Sequence, residues 1–275
     1  MRYLILGSQG FIGDGIIKYF KKKKILFTEY KKISELIPSQ VNNKDIIINC
    51  LGKNIKKVNS HELKNKIQLI KHLRKKILWI QLSTPLIYNQ KINSKKKVNE
   101  KTKELPYNEY ALSKLKFDNF LKKQKNPNFS YLILRISTVY DKKMKSKVFK
   151  KLKFISNSFF YSLIVNQNTI FNYVSLDELV VYIYKLSIIK KSKNRLILIT
   201  QNINLVKLIG RSVEKKYFLN RFFINIKKIL ALFFLEQVHF LTNENSIENN
   251  YLQKFIKIKS KNYSNQKIIN FFKKC

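Results

Sequence analysis

Several residue types are scarce in this 275-residue chain, and each scarcity excludes a class of protein. Only two cysteines occur, Cys50 and Cys275, which excludes a disulfide framework and a clustered thiolate zinc site. Three histidines leave little for metal binding, so we predict no metal site. Hydrophobic residues make up 45% of the chain, which argues against disorder because such a chain can bury enough apolar surface to fold.

Acidic residues are also few, 16 against 56 basic residues, and the formal net charge is +40. A charge of this size is typical of proteins that bind nucleic acid or an anionic membrane surface. Only 6 of the basic residues are arginine, however, and arginine is the residue best suited to reading bases. The abundance of lysine, asparagine and isoleucine favours compositional drift as the cause. We predict no specific nucleic-acid partner, and non-specific polyanion binding is the alternative.

Long hydrophobic runs are absent as well. Residues 154–176 carry no charge but contain many Ser, Asn and Gln side chains, and four charged or histidine residues interrupt residues 222–241. Both features disfavour a membrane span. The short apolar stretch at residues 3–6 leads directly into glycines and is not typical of a signal peptide, so we expect a cytoplasmic protein.

Apolar runs alternate with amphipathic helical stretches through the first half of the chain. This pattern predicts an α/β fold with a doubly wound parallel sheet. The predicted strands are residues 3–6, a second beginning at 25–27, then 45–49, 77–82, 131–136 and 196–200, and the predicted helices include residues 16–20, 61–76 and 110–122. No linker separates the second half, which we expect to fold onto the first.

Four of the six glycines cluster directly after the first predicted strand. Gly7, Gly10 and Gly13 have the spacing G-x-x-G-x-x-G, and Gly15 follows at the start of a helical pattern. Such glycines allow a sharp turn and let backbone N–H groups approach a pyrophosphate at a helix N-terminus. The turn predicts dinucleotide binding, and a purely structural glycine turn is the alternative.

Glu29 lies 16 residues after Gly13, near the end of the second predicted strand. A carboxylate there would bind the adenosine ribose and repel a 2′-phosphate, which favours NAD. Lys31 and Lys32 could instead neutralise a 2′-phosphate, so NADP stays open as the cofactor. A solvated surface carboxylate is the other reading of Glu29.

Tyr110 and Lys114 are four residues apart, a spacing that places both on one face of a helix. An ammonium near a phenol stabilises the phenolate, so the tyrosine can exchange a proton with an alcohol or carbonyl. Ser83 and Thr84 follow the predicted strand 77–82, at the edge where α/β sheets bind ligands, with Tyr88 shortly after.

Together these residues resemble the extended short-chain dehydrogenase/reductases, in particular the NAD-dependent epimerase/dehydratase group that acts on nucleotide sugars. Segments 45–52, 134–140 and 171–179 are similar to further family motifs in the same order, so the resemblance covers about residues 1–180. It implies a Rossmann domain at 1–180 and a smaller C-terminal substrate lobe at 181–275. Whether residues 141–170 also contribute to the lobe is left open. Family members often pair through helices, so a homodimer is one option, and the resemblance leaves the oligomeric state open.

The resemblance also implies roles for individual residues. Thr84 would hydrogen-bond the reacting sugar oxygen with support from Ser83, Tyr110 would be the acid/base, and Lys114 would hold the nicotinamide ribose and lower the tyrosine's pKa. The residues implied to bind the cofactor are Gly7, Gly10, Phe11, Ile12, Gly13, Glu29, Leu51, Gly52 and Lys114. Arg211, Arg221, Lys227 and Lys228 could meet a substrate diphosphate.

One departure from the family narrows the reaction. Dehydratases of the group follow the threonine with Asp-Glu, whereas Pro85 and Leu86 follow Thr84 here, which disfavours dehydration. The resemblance therefore implies an NAD(P)-dependent epimerase or reductase of a nucleotide-activated sugar, of the kind used in polysaccharide synthesis. A non-catalytic dinucleotide-binding or redox-sensing protein of the same fold is the alternative, and a lysine-rich polyanion-binding protein is a more remote one.

Overall fold

The computed structural model describes residues 1–52, 60–88, 97–106, 108–141, 168–209, 246–256 and 261–274. Nine strands occur in these ranges: β1 Tyr3–Leu6, β2 Phe27–Tyr30, β3 Ile46–Asn49, β4 Ile77–Ser83, β5 Phe129–Ile136, β6 Thr138–Tyr140, β7 Ile170–Ser175, β8 Arg195–Ile199 and β9 Gln201–Asn204. Six of them form a fully parallel sheet in the order β2-β1-β3-β4-β5-β8.

Helices cover both faces of this sheet. The described helices are α1 Phe11–Lys22, α2 Ser60–His72, α3 Glu109–Lys122, α4 Leu176–Ile188, α5 Leu205–Ile209, α6 Asn250–Phe255 and α7 Lys261–Lys274. One apolar core joins α1 and α4 to one sheet face, and a second joins α2 and α3 to the other. Strands β1, β3 and β4 are buried along their whole length, as expected for a parallel sheet covered twice. The predicted doubly wound fold is confirmed.

Three predicted boundaries were wrong by two residues or more, and one of them is the start of β5, which lies at Phe129 rather than at residue 131. Strand β2 begins at Phe27 rather than Ile25, because the chain is still leaving α1: Lys24 has a φ of 54° and the Ile25 N–H donates to the Phe20 carbonyl. Helix α2 ends at His72 rather than at residue 76.

The order in which strands are added to the parallel sheet reverses between β1 and β3. From β1 the chain moves outward to β2 and then returns across β1 to β3, and the carboxyl ends of β1 and β3 lie side by side through the Leu6–Asn49 register. Open α/β sheets bind ligands at such a reversal.

A smaller second sheet has the order β6-β7-β9, parallel between β6 and β7 and antiparallel between β7 and β9. Its core consists of aromatic and aliphatic side chains from this sheet together with α5 and α7. The sheet therefore joins segments from both sides of the predicted domain boundary at residue 180, and that boundary stays a prediction.

Within the described ranges, no helix has the length and apolar character needed to cross a membrane. No group of His, Cys, Asp or Glu in those ranges could hold a metal ion. The four basic residues named for a diphosphate, from Arg211 to Lys228, lie outside the described residues, as do residues 222–241 and most of 154–176.

Candidate active site

The glycine turn after β1 is closely packed against itself. Gly7 has a left-handed φ of 81°, and its carbonyl accepts from the Gly10 N–H at 3.0 Å. A Cβ on Gly13 would stand 2.2 Å from the Gly7 carbonyl oxygen, so only glycine lets α1 begin this close to the turn. Helix α1 begins at Phe11 with Gly10 as its N-cap, and no side chain caps it. The helix thus directs backbone N–H groups into the turn.

The end of β3 meets this turn. A Cβ on Gly7 would lie 3.2 Å from the backbone nitrogen of Leu51, which shows how near the two segments are. Gly52 has a φ of 136°, and a Cβ there would lie 2.4 Å from the Lys114 ammonium. The structure therefore brings together the predicted cofactor residues Gly7, Leu51, Gly52 and Lys114. Phe11 is exposed and Ile12 is half-buried at the start of α1.

Glu29 is placed differently from these residues. Its exposed carboxylate lies 3.8 Å from the Lys21 ammonium, near the end of α1. The part of β2 that contacts the glycine turn is the carbonyl of Tyr30, which accepts from the N–H groups of Gly7 and Ser8 at 2.8 and 3.1 Å. The Glu29 carboxylate is thus engaged with a lysine on α1 rather than with the turn.

Helix α3 presents Tyr110 and Lys114 on one face. It begins after Asn108, whose side-chain oxygen accepts from the Ala111 N–H at 2.8 Å. The Lys114 ammonium lies 5.7 Å from the centre of the Tyr110 ring and donates to the carbonyls of Leu51 and Leu82, both at 3.1 Å. Lys114 therefore links the catalytic candidate Tyr110 to the ends of β3 and β4.

Burial shifts the pKa of both groups. It lowers the pKa of Lys114 to about 8, and the nearby charge of Lys66 acts in the same direction. It raises the pKa of Tyr110 to about 12, with the Asp118 carboxylate adding to the rise. Desolvation of the phenol therefore sets the direction of the Tyr110 pKa shift in this state, and the role of Lys114 in lowering that pKa stays a prediction.

The two hydroxyls at the end of β4 have different partners. Thr84 is 7% exposed and caps the short 3-10 turn Pro85–Ile87, its oxygen accepting from the Leu86 N–H at 3.3 Å. Ser83 donates to the Asp118 carboxylate at 2.8 Å. Ser83 thus supports the site through a buried acid, a partner that the sequence did not indicate.

A buried charged network surrounds that acid, and the sequence analysis missed it. The fully buried Arg135 guanidinium lies 3.3 Å from Asp118 and 2.5 Å from Glu104, and it stacks 4.8 Å from the centre of the Tyr88 ring. Burial raises the pKa of Asp118 to about 6, although Arg135 opposes the rise. The available signal was one arginine within an otherwise apolar strand, β5.

No protein-family model matches this sequence, and no curated protein matches it either. Solved structures are similar over almost the whole chain. UDP-glucuronic acid 4-epimerase from Bacillus cereus in complex with NAD is 14% identical, with a TM-score of 0.63, over 100% of this chain and 99% of that one. dTDP-glucose 4,6-dehydratase from Bacillus anthracis in complex with NAD is 13% identical, with a TM-score of 0.66, over 100% and 97%.

A dTDP-4-dehydrorhamnose reductase from Clostridium acetobutylicum is 18% identical, with a TM-score of 0.62, over 99% of this chain and 100% of that one. At these identities the likeness shows the fold. The chain has the fold of the extended short-chain dehydrogenase/reductases, as the sequence motifs predicted, and three different reactions occur on that fold.

Proposed function

We propose that this protein is an NAD(P)-dependent epimerase or reductase of a nucleotide-activated sugar. The observation that supports this most is the position of Lys114, whose ammonium contacts the end of β3 beside the glycine turn while it lies under the Tyr110 ring. A hydride-transfer site needs a dinucleotide turn, a proton-exchanging group and a cation next to both.

The glycine turn fits a dinucleotide. A Cβ at Gly13 would collide with the Gly7 carbonyl, and one at Gly7 would press on the backbone of Cys50 and Leu51, so glycines let the turn, α1 and the end of β3 pack this closely. The start of α1 adds its positive dipole end. In the proposal, this turn holds the pyrophosphate and Lys114 holds the nicotinamide ribose. The nicotinamide, when bound, supplies the hydride acceptor or donor. Glu29 is engaged by Lys21, so the choice between NAD and NADP is left to measurement.

Tyr110 is the proposed acid/base, and Thr84 is the proposed hydrogen-bond partner of the reacting sugar oxygen. Because its pKa is raised to about 12, Tyr110 is protonated at neutral pH and ready to give a proton to a carbonyl oxygen. This direction of transfer is the one that carbonyl reduction uses. For the reverse direction, a nearby positive charge would have to favour the phenolate.

Dehydration is the reaction that the residues support least. Elimination of water needs an acid and a base beside the substrate, and the residues that follow Thr84 are Pro85 and Leu86, neither of which titrates. This argument depends on the residues and not on the fold, since a dehydratase is among the similar structures.

The proposed substrate class follows from the similar proteins and from charge. All three compared proteins act, by their names, on UDP- or dTDP-linked sugars, and a net charge of +40 would attract a diphosphate. We further propose that residues 181–275, with 141–170, form the substrate side.

Mass analysis of the purified protein after mild denaturation is the first experiment. Release of tightly held NAD would support the epimerase, which regenerates its cofactor in each cycle. An empty protein that binds NADH or NADPH on titration would support the reductase. A protein that neither releases nor binds a dinucleotide would refute the proposal.

The variant Tyr110→Phe tests the chemistry. We expect kcat to fall by about 10²- to 10⁴-fold, the usual contribution of a general acid or base, while dinucleotide affinity stays unchanged. Steady-state kinetics and fluorescence titration measure the two quantities. Tyr3→Phe is the matched control, because Tyr3 is a fully buried tyrosine that bonds Ser187 on α4. Full activity in Tyr110→Phe, or dinucleotide binding without turnover in the wild type, would favour the non-catalytic alternative.

A further inference from the structure

Two buried amide side chains lie side by side in the centre of the sheet and have no part in the mechanism above. Asn49 on β3 and Gln81 on β4 are paired in register and are 0% and 1% exposed. Asn49 donates through Nδ2 to Gln81 Oε1 at 2.7 Å. Polar side chains are rarely buried this deeply unless every hydrogen bond is made, so their remaining partners are informative.

Each amide binds the backbone of a residue whose carbonyl holds Lys114. Asn49 Oδ1 accepts from the Leu51 N–H at 3.1 Å, and Gln81 Nε2 donates to the Leu82 carbonyl at 2.7 Å. Lys114 donates to these same two residues, at the Leu51 and Leu82 carbonyls. The hydrogen bonds therefore form a closed ring through Asn49, Gln81, Leu82, Lys114 and Leu51, which we call the amide circuit.

The orientation of the Gln81 amide is set by a neighbour that can only donate. Trp79 Nε1–H lies 3.4 Å from Gln81 Oε1, so the oxygen faces Trp79 and Asn49 while Nε2 faces the Leu82 carbonyl. The Leu82 carbonyl consequently accepts from both Gln81 and Lys114, and no alternative amide flip satisfies all members of the circuit.

The circuit occupies two of the three N–H groups of the Lys114 ammonium. At Gly52 a Cβ would stand 2.4 Å from the ammonium, so the glycine keeps side-chain atoms of its own away from it. Among the described residues, the two carbonyls are the hydrogen-bond acceptors of Lys114. One N–H is thus left for a ligand, and the two fixed carbonyls decide where that N–H points.

We propose that Asn49 and Gln81 are positioning residues: through the Leu51 and Leu82 carbonyls they orient the Lys114 ammonium, and so set the affinity for a dinucleotide that they do not touch. The second half of this statement rests on the proposed function, whereas the first half concerns the protein alone. The two halves can be tested separately.

Titration with NADH and NADPH tests the effect on the ligand. We expect Gln81→Met to raise the Kd of the dinucleotide by about tenfold, the equivalent of one hydrogen bond to a charged group, with little change in kcat at saturation. Lys114→Met gives the effect of losing the ammonium altogether. Tyr3→Phe, which removes a buried side-chain hydrogen bond elsewhere in the same sheet, is the matched control and should leave Kd within twofold.

Site-resolved acylation of the ligand-free protein tests the position of Lys114 directly. With acetic anhydride at pH 8, and peptide mass analysis, we expect Lys114 in Gln81→Met to react about tenfold faster than in the wild type, because Gln81 no longer fixes the Leu82 carbonyl that accepts from the amine. Exposed lysines such as Lys18 serve as internal references.

If the single variant Gln81→Met fails to fold, the double variant Asn49→Leu/Gln81→Met replaces it in these experiments. Replacing both partners of a buried hydrogen bond is often nearly neutral for stability. Unchanged Lys114 acylation in a folded circuit variant would overturn the positioning role. If the wild type binds no dinucleotide but Lys114 acylation rises as expected, the proposed function fails while the amide circuit stands. Faster acylation with an unchanged Kd would overturn the link to affinity.

Discussion

Two buried polar arrangements contact the same face of α3, and they differ in charge. The amide circuit holds Lys114 with neutral groups, whereas one turn further along the helix Asp118 belongs to a charged network with Ser83, Glu104 and Arg135. Both act on the end of β4. Neutral amides do not titrate, and carboxylates do. The comparison teaches that the amides can fix the position of Lys114 without titrating themselves, whereas the response of the site to pH lies in its charged groups, Lys114 and Asp118.

The two arrangements also differ in how well they are satisfied. The amide oxygens of Asn49 and Gln81 both accept hydrogen bonds. In contrast, Asp118 Oδ1 and Arg135 Nη1 have no hydrogen-bond partner within the described part of the chain. A buried ion pair with missing partners is weakly stabilising as a whole but costly to break on one side. The charged network should therefore be the more sensitive of the two.

Arg135→Met should give the largest effect on stability. It leaves the Asp118 carboxylate buried without its cation, and we expect a loss of about 3–5 kcal/mol at pH 8, measured by urea unfolding. The double variant Arg135→Met/Asp118→Leu should recover part of this loss, because it removes both charges. A double variant no more stable than the single one would contradict the role of the pair.

Asp118→Asn should remove a pH dependence. The folded protein has a pKa of about 6 at Asp118, above the unfolded value of 3.8, so the folded state binds the proton more tightly. The free energy of unfolding of the wild type, relative to the variant, should therefore rise as the pH falls through 6, by about 2–3 kcal/mol in total near pH 4. Urea unfolding from pH 4 to 8 measures the difference, and a constant difference would refute the assignment.

Gln81→Met should show the contrasting behaviour of the neutral arrangement. Unpaired donors on Asn49 and Trp79 should cost about 1–3 kcal/mol in the free energy of unfolding. Because no member of the amide pair titrates, this loss should be the same at pH 5 and pH 7. A loss that changes with pH would mean that the two arrangements are coupled.

Lys122→Met should give the smallest effect. Lys122 contacts Glu104 at 2.9 Å from the rim of the charged network, where its side chain is 32% exposed. Partly exposed ion pairs contribute little, so we expect a loss of less than about 1 kcal/mol that shrinks further in 1 M salt. A loss of stability as large as that of Arg135→Met would contradict this expectation, because it would mean that the partly exposed Lys122–Glu104 pair stabilises the protein as much as the buried Arg135–Asp118 pair.

The sequence predicted the parts of the structure that depend on local patterns. The strand at Tyr3–Leu6, the glycine turn and the helix with Tyr110 and Lys114 each lie within one short segment. The register of β3 against β4 is not local, so the pairing of Asn49 with Gln81 was invisible: each is a single polar residue in an apolar run. The ion pairs of Arg135 could not be predicted for the same reason, since its partners Asp118 and Glu104 lie 17 and 31 residues away along the chain.

Burial limited the electrostatic predictions as well. The i,i+4 spacing correctly placed Lys114 beside Tyr110, but spacing alone says nothing about solvent. The removal of water from the phenol, together with the nearby Asp118 charge, raises the pKa of Tyr110. The second sheet, which joins strands from β6 at Thr138–Tyr140 to β9 at Gln201–Asn204, likewise has no local signal.

The scarcity of glycine has a consequence for engineering this protein. Five of the six glycines, all except Gly210, lie in the glycine turn, in the first turn or two of α1, or at Gly52. Replacing glycine by alanine usually stabilises a protein by restricting the unfolded chain, provided that the folded backbone accepts a Cβ. Here a Cβ at Gly13, Gly15 or Gly52 would come within 3 Å of a neighbouring atom. Replacement by alanine is therefore unfavourable at Gly13 and Gly52, and at Gly15 the Leu176 side chain would have to move, so stabilising substitutions must be sought at other positions.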